Sequence, residues 1–375
     1  MGPLVGMTVI EMAGIGPTPL CGMLLSDLGA KVISIQKRST PDTSQVEIHE
    51  RGKTSVALNL KSDEGLAVAL SLIESADALI EGFRPGVMER LGLGPDVCLA
   101  RNPRLVYGRM TGWGQTGPMA HAAGHDINYI ALTGALHAIG PKDGKPVPPL
   151  NLVGDNGGGA LYLAFGLVCG LLETKHSGKG QVIDVSMVDG TVSLMTLVYS
   201  MMQLGLWQDE RGSNLFDGGA PFYDTYETKD GKHISLGSIE PQFYAELVRL
   251  SGVDESLMAN QYDISRWPDM KAGLTEVFKQ KTRDEWDEIM FGKDVCYAPV
   301  LSMTEAPDHP HNQARGTFIE VNGLTQPGPA PKYSRTKAAT PPPLKPKGSD
   351  TDEVLRALGH SQSEIDALRS KGVLT

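Results

Sequence analysis

The first 110 residues alternate between short apolar runs and amphipathic segments. Residues 7–12 (MTVIEM) and 31–36 (KVISIQ) are apolar runs of strand length, and the segment between them has a helical pattern that ends at Gly29. Three further strand-like runs follow, at 54–60, 77–83 and 104–110. Because strands separated by helices favour a parallel sheet covered on both faces, this pattern predicts an α/β fold with a Rossmann-like large domain.

The second half of the chain changes its pattern. Apolar periodicity predicts a helix over about 157–175, a strand over 180–187 and a helix over 189–207. The run 160–172 is too short to span a bilayer, so it predicts a buried core helix and no membrane partner. Strand-like residues around Asp230-Gly231 then predict a hairpin. Two helices follow it, at 241–252 and 268–290, and two more are expected near the C-terminus, capped by Thr351 and Ser361. A smaller α+β domain over roughly 220–315 is therefore expected.

Composition excludes some classes of function. The net charge of −10 argues against a nucleic-acid binder, which is usually basic. After the first strand come Gly14 and Gly16, but Thr18 and Pro19 follow, so the third glycine of a dinucleotide-binding fingerprint is missing and ordinary NAD binding is not expected. The four cysteines form no CxxC pair and no metal-ligand spacing, which predicts reduced thiols in a cytoplasmic protein without a metal site.

Titratable residues precede two of the predicted helical segments. His125 and Asp126 stand before an amphipathic helix, and Asp155 stands in NLVGDNGGG before the long apolar helix. Either aspartate could simply cap its own helix, as aspartate often does. Alternatively His125, with an ordinary pKa of about 6.5, could act as a general base while Asp126 caps the helix. Both interpretations remain open on the residues alone.

Other candidate residues are basic, acidic or sulfur-containing. Seven basic side chains are expected in the loops after strands of the predicted sheet and together suggest a phosphate-bearing ligand: Lys37, Arg38, Arg51, Lys53, Lys61, Arg84 and Arg90. Glu240 precedes Pro241 and could be a first-turn acid or could orient a catalytic group. Met187, Met195, Met201 and Met202 fit either a packed core or an adaptable surface for an acyl chain.

Longer motifs resemble those of a known family. Segments such as RGKTSVALNLK, NPRLVYGRMTGWGQTGP, GHDINY, PLNLVGDNGGGALYLAFG and GSIEPQFY occur in order over most of the chain. They closely resemble the α-methylacyl-CoA racemases of the family III CoA-transferase superfamily. The resemblance implies a modified Rossmann large domain over 1–200, completed by a returning C-terminal segment, 325–375. The small domain would occupy 220–315, with linkers at 201–219 and 316–324, in an interlocked homodimer.

The resemblance also implies a reaction and a set of site residues. The substrate would be a 2-methyl-branched acyl-CoA, epimerised at the α-carbon by His125 and Asp155 on opposite faces, with no further cofactor. Glu240 would be a supporting acid near His125, and Arg90 would lie near the active site. The implied CoA-binding residues are Lys37, Arg38, Ala57, Leu58, Asn59, Leu60, Lys61, Arg84, Gly124, Asp126, Asn128 and Tyr129. Lys37 stands where the family usually has arginine, which keeps the charge but loses the bidentate fork.

The two alternative functions are a CoA transferase and a catalytically silent CoA-binding protein. A CoA transferase of the same superfamily would use Asp155 as a nucleophile and form an acyl-enzyme anhydride. His125 favours the racemase, because a transferase does not require an imidazole opposite the carboxylate. A catalytically silent CoA-binding protein would not need either group. The acyl chain is left open, and so is the compartment, with mitochondria or peroxisomes as alternatives to the cytoplasm if the source is eukaryotic.

Overall fold

The computed structural model describes residues 2–37 and 47–374. Its strands are β1 (Thr8–Met12), β2 (Lys31–Gln36), β3 (Thr54–Ala57), β4 (Ala78–Glu81), β5 (Val106–Thr111), β6 (Gln181–Ser186), β7 (Thr225–Glu227), β8 (His233–Leu236), β9 (Tyr297–Val300), β10 (Phe318–Val321) and β11 (Leu324–Pro327). Its helices are α1 (Pro17–Asp27), α2 (Asp63–Glu74), α3 (Val87–Arg90), α4 (Pro95–Arg101), α5 (Asp126–Ala131), α6 (Ala135–Ala138), α7 (Tyr162–Ser177), α8 (Met187–Leu194), α9 (Thr196–Gln203), α10 (Pro241–Ser251), α11 (Trp267–Phe278), α12 (Arg283–Met290), α13 (Pro310–Arg315), α14 (Thr351–Ala357) and α15 (Gln362–Ser370). A π-helical segment, Leu152–Leu161, runs directly into α7.

The chain divides into two compact units. Unit one comprises Met1–Thr133, Leu150–Leu194 and Gln313–Thr375, and unit two comprises Gly134–Pro149 and Met195–Asn312. The C-terminal segment therefore belongs to unit one. Residues 134–149, which the sequence analysis placed in the large domain, belong instead to unit two. Arg211 of unit two holds this segment by hydrogen bonds, because its guanidinium donates to the carbonyls of His137 and Gly144, each at 2.6 Å.

Unit one contains the predicted parallel sheet. Six strands lie in the order β3-β2-β1-β4-β5-β6, and each neighbouring pair is parallel, which confirms the α/β class. β1, β4 and β5 are almost wholly buried, as expected for strands covered on both faces. The chain moves outward from β1 through β2 to β3 and then returns to β4 on the other side of β1. The loops after β1 and β4 therefore leave the sheet in opposite directions and open a crevice between them.

The C-terminal segment completes one edge of this sheet. The Asp350 carboxylate accepts a hydrogen bond from the Ser55 amide at 2.9 Å, and the Thr351 hydroxyl accepts one from the Ala57 amide at 3.0 Å. Leu58 then pairs with Leu374 in an antiparallel bridge. α14 begins at Thr351, so the residue that precedes it is Asp350 and not the threonine expected as its cap. The predicted cap Ser361 is confirmed, since its side chain and that of Glu364 form a capping box.

Two predicted helices are each divided into two. The stretch 189–207 contains α8 and α9, and the stretch 268–290 contains α11 and α12. The second break has a clear local cause. The Thr282 hydroxyl accepts a hydrogen bond from the Glu285 amide, and the Glu285 carboxylate accepts one from the Thr282 amide at 2.7 Å. This capping box starts a new helix where the hydrophobic periodicity suggested a continuous one.

The helix expected at 157–175 is longer and less buried than predicted. It extends from Leu152 to Ser177 and, by length and composition alone, is apolar enough to cross a membrane. One face packs on the sheet through the buried residues Leu163, Leu167 and Gly170. Much of the opposite face is exposed in the single chain, so the predicted buried core helix is only partly buried.

Unit two has its own sheet and core. β7, β8 and β9 form a three-stranded antiparallel sheet, and the hairpin expected around Asp230-Gly231 is confirmed by the pairing of Tyr226 with Ile234. β9 comes from a segment some sixty residues further along the chain, so the hairpin pattern did not reveal it. α10, α11 and α12 supply half of the apolar side chains in the core that contains Phe222 and Phe278.

Candidate active site

A cavity of about 330 Å³ lies in unit one at the carboxyl end of the parallel strands. Its walls come from the loop after β1 (15–18), the loop after β4 (82–85) and the end of β5. These are the loops that diverge where the strand order reverses, which is the usual ligand-binding position in open α/β sheets. The sequence analysis missed the residues of the first loop, because only the strand order shows that it faces the loop after β4.

His125 lies in this cavity wall immediately before α5. Its backbone is extended, with φ −134° and ψ 175°, and its amide donates to the side-chain oxygen of Asn128 at 3.0 Å. This contact holds the start of the helix and leaves the imidazole exposed. Asn128 was predicted to bind CoA, but its side chain closes the helix start and does not line the cavity.

An aromatic pair forms another part of the wall. The rings of Trp113 and Tyr129 meet edge to face with centroids 4.7 Å apart, and the Tyr129 hydroxyl donates to the Gly124 carbonyl. A Cβ atom at Gly112 would lie 2.0 Å from the Tyr129 ring, and one at Gly124 would lie 2.7 Å from it. Glycine is therefore required at both positions for this ring to pack. The predicted residues Gly124 and Tyr129 do line the cavity, and Trp113 is an addition.

Asp155 faces the same cavity from the π-helical segment. The structure therefore brings His125 and Asp155, which are thirty positions apart in the sequence, to one pocket. Burial raises the pKa of Asp155 above its ordinary value, and the charge of Asp126 raises it further. The amide of Asn151, 3.4 Å from the carboxylate, and the neighbouring His125 act in the opposite direction. A raised pKa makes the protonated carboxyl more abundant near neutrality.

The predicted basic residues are not all at the cavity. Arg84 lines it and is exposed. Arg90 is exposed at the end of α3, Lys37 is exposed after β2 and Lys61 is exposed before α2, and none of these three lines the cavity. Arg38 lies outside the described residues.

The backbone segment predicted to bind CoA is also away from this cavity. Ala57 and Leu58 are buried, with Leu58 packed in the sheet core, and Asn59 donates from its amide to the Val373 carbonyl at 2.8 Å. Leu60 packs partly against the same core. None of these residues lines the cavity, so their proposed contact with CoA stays a prediction.

Two basic residues of the suggested phosphate-binding set are buried in ion pairs, which corrects that expectation. Arg51 makes a two-point contact with the Asp27 carboxylate, at 2.6 and 3.1 Å, and Lys53 lies 2.9 Å from Glu11. These side chains are about 1% exposed. Buried carboxylates need such partners, so these cations stabilise the interior and are not presented to a ligand.

Glu240 and three of the predicted methionines belong to unit two. Glu240 precedes the first residue of α10. Burial raises the pKa of the nearby Cys296 thiol, and the charge of Glu240 raises it further. The expected contact between Glu240 and His125 stays a prediction. Met187 belongs to unit one and lines the cavity, whereas Met195, Met201 and Met202 do not.

No obvious metal centre accompanies the site. Among residues 2–37 and 47–374, no group of three or more His, Cys, Asp or Glu side chains is arranged to hold a metal ion. A larger cavity, about 890 Å³, lies within unit two and contains neither His125 nor Asp155. The smaller cavity is the better candidate active site, because it brings a titratable imidazole and a carboxyl together at the position expected from the strand order.

The chain is similar to known proteins over nearly its whole length. The α-methylacyl-CoA racemase of Mus musculus is 45% identical over 371 residues, covering 98% of this chain and 97% of the relative. The human enzyme of the same name is 42% identical, covering 99% and 97%. The crystal structure of a CAIB/BAIF family protein from Brucella suis superposes with a TM-score of 0.81 at 25% identity, covering 95% of this chain and 99% of that one. The sequence profile of CoA-transferase family III matches residues 4–351. The chain therefore belongs to CoA-transferase family III.

Proposed function

We propose that this chain is an isomerase that epimerises the α-carbon of 2-methyl-branched acyl-CoA thioesters. The racemases named above support this activity by their identity over nearly the full chain. The observation that carries the mechanism is the presence of His125 and Asp155 in one cavity, with the pKa of Asp155 raised.

The chemistry explains why two different acid-base groups are needed. Epimerisation removes the α-hydrogen from one face of the carbon and delivers a hydrogen to the other. A single base would tend to return the proton to the face it left. With two groups, neutral His125 accepts the proton of one epimer while protonated Asp155 donates to the opposite face, and the roles are exchanged for the other epimer.

The intermediate is an enolate, which needs stabilisation at the thioester oxygen. Backbone N–H groups next to His125 are the donors that we propose, and a donor of this kind can contribute about 3 kcal/mol to the transition state. The proposed reaction requires no metal or redox group. Arg84, on the cavity wall, and the face of the Trp113 and Tyr129 pair would hold part of the CoA moiety.

We also propose that the active form is a homodimer. Four apolar residues at helical spacing are exposed along one face of the helix that starts at Leu152: Leu161 (55%), Phe165 (69%), Val168 (43%) and Leu172 (59%). A stripe of this kind on a soluble protein usually marks an interaction surface. A second copy of the chain would cover it, and association with a bilayer is the alternative.

One experiment separates racemase from transferase. A single epimer of a 2-methylacyl-CoA is incubated in D₂O without any acceptor acid, and inversion and deuterium incorporation are followed together. The racemase predicts both, and predicts that His125→Ala and Asp155→Ala each reduce inversion by roughly 10²- to 10⁴-fold. Transfer of CoA to an added carboxylic acid, with neither exchange nor inversion in its absence, would instead establish a transferase, and Asp155 would be the candidate nucleophile.

A further inference from the structure

The Asp126 carboxylate contacts the backbone of the other acid-base residue. Its Oδ2 accepts a hydrogen bond from the Asp155 amide at 2.7 Å, across 29 positions of sequence. Asp126 is only 7% exposed. Expected to cap its own helix, α5, it instead caps a segment from another part of unit one, and this corrects the interpretation of Asp126 as a simple N-cap.

The π-helical geometry explains why the Asp155 amide needs this partner. In a π-helix each N–H bonds to the carbonyl five residues earlier, so the first N–H groups have no partner within the helix. The first such bond here runs from Asn156 to Asn151, at 3.2 Å. The amide of Asp155 precedes it and would be unpaired without Asp126. The wide turn therefore depends on a side chain that α5 supplies.

The close approach of the two segments is built into the sequence. A Cβ atom at Gly154 would lie 2.6 Å from Asp126 Oδ2, so only glycine lets the carboxylate reach the turn. The second carboxylate oxygen, Oδ1, is buried and has no hydrogen-bond partner among the described residues. A buried carboxylate with one satisfied oxygen is costly, which argues that its position serves more than local stability.

We propose that Asp126 is a positioning residue that holds the Asp155 carboxyl in register with His125. This inference rests on the proposed two-base epimerisation. His125 immediately precedes Asp126, so one short segment carries one acid-base group and supports the backbone of the other. The hydrogen bond from the Asp155 amide to Asp126 therefore links the segments that carry the two groups.

The environment of Asp155 defines the expected pH dependence. The charged groups that act on its carboxyl within the described chain are Asp126 and His125. The Asn151 amide and Tyr129 are its polar neighbours, and the backbone of Gly16, just before α1, lies beside it. The charge of Asp126 raises the pKa of Asp155. Its removal should therefore move the Asp155-dependent limb of the pH profile to lower pH in both directions of the reaction.

The partition between exchange and inversion tests the positioning role. For the epimer whose α-hydrogen faces His125, a misplaced Asp155 cannot protonate the enolate, so His125 returns a solvent deuteron to the original face. Asp126→Ala should raise the ratio of exchange to inversion about tenfold for this epimer, the effect of losing one ordinary charge-assisted hydrogen bond. For the opposite epimer, exchange and inversion should fall together.

Matched variants separate the possible outcomes. Asp126→Asn keeps an acceptor oxygen but not the charge, so its ratio should stay near that of the wild type while its pH limb moves down. Asp63→Asn, which removes an exposed acid from the first turn of α2, should change neither quantity. If Asp126→Ala folds and its ratio of exchange to inversion is unchanged, this inference is overturned while the proposed function stands. If Asp126→Ala does not fold, an unshifted pH limb in Asp126→Asn has the same consequence. Absence of exchange and inversion in the wild type overturns the proposed function, and this inference with it.

Discussion

Replacement of Lys53 by methionine should make the stability of this protein strongly dependent on pH. Lys53 Nζ lies 2.9 Å from Glu11 Oε1, with both side chains at most 1% exposed, and it also donates to the Pro19 carbonyl at 3.1 Å. The other oxygen of Glu11 has no hydrogen-bond partner in the described part of the chain. Burial raises the pKa of Glu11 from 4.5 to about 7, although Lys53 opposes the shift. Lys53→Met leaves this carboxyl without its cation.

The size of the effect follows from proton linkage. Because the pKa of Glu11 is higher in the folded state, folding takes up a proton between pH 4.5 and about 7, and stability falls as the pH rises through that window. In the wild type this loss levels off above pH 7. Without Lys53 the pKa rises further, so the loss should continue above pH 7 at about 1.4 kcal/mol per pH unit. At pH 8.5 the free energy of unfolding of Lys53→Met should therefore have lost about 2 kcal/mol more than that of the wild type since pH 7.

Urea unfolding followed by circular dichroism, at intervals from pH 6 to pH 8.5, measures this difference. The control is Arg101→Met, which breaks a half-exposed pair with Glu74 and should cost less than about 1 kcal/mol with no added slope. Parallel pH profiles for Lys53→Met and the wild type would show that Glu11 does not titrate in this range, and the reasoning about its burial would be wrong.

Three further changes test the cavity and the exposed stripe. Gly112→Ala would place a Cβ 2.0 Å from the Tyr129 ring; it should cost about 1–3 kcal/mol and raise KM, measured by thermal unfolding and kinetics. Arg84→Ala should raise KM for the acyl-CoA about tenfold with little change in kcat, because it removes binding common to ground and transition states, and Arg84→Lys should recover part of the loss. Phe165→Glu, at a position 69% exposed in the single chain, should convert a dimer to monomers in light scattering; a wild type that is already monomeric, or that binds lipid vesicles, would contradict the dimer.

Local sequence determined the elements and the family. Alternation of apolar runs with helical segments was enough to predict the parallel sheet, since strands buried on both faces are apolar throughout. Ser361 and the Asp230-Gly231 hairpin were also predictable, because capping boxes and tight turns depend on residues only a few positions apart. Motifs shared with the family indicated His125 and Asp155 before any geometry was known.

Tertiary structure decided which of these residues meet. Only the strand order shows that the loop after β1 faces the loop after β4, and so places Ile15 and Phe83 at one cavity. Arg51 and Lys53 carry the positive charge that a phosphate site needs, yet in the folded chain both are buried and paired with carboxylates of α1 and β1. Charge can be read from a sequence, but the partner that neutralises it depends on which segments pack together.

Asp126 shows the same division most clearly. Its position before an amphipathic helix predicted a cap for α5, which is the bond that local sequence favours. In the folded chain it caps the turn that contains Asp155, because the π-helical segment leaves that amide unpaired and Gly154 allows the approach. Propensity acts between neighbours in sequence, whereas this hydrogen bond depends on two segments that meet only after the sheet and its helices have packed.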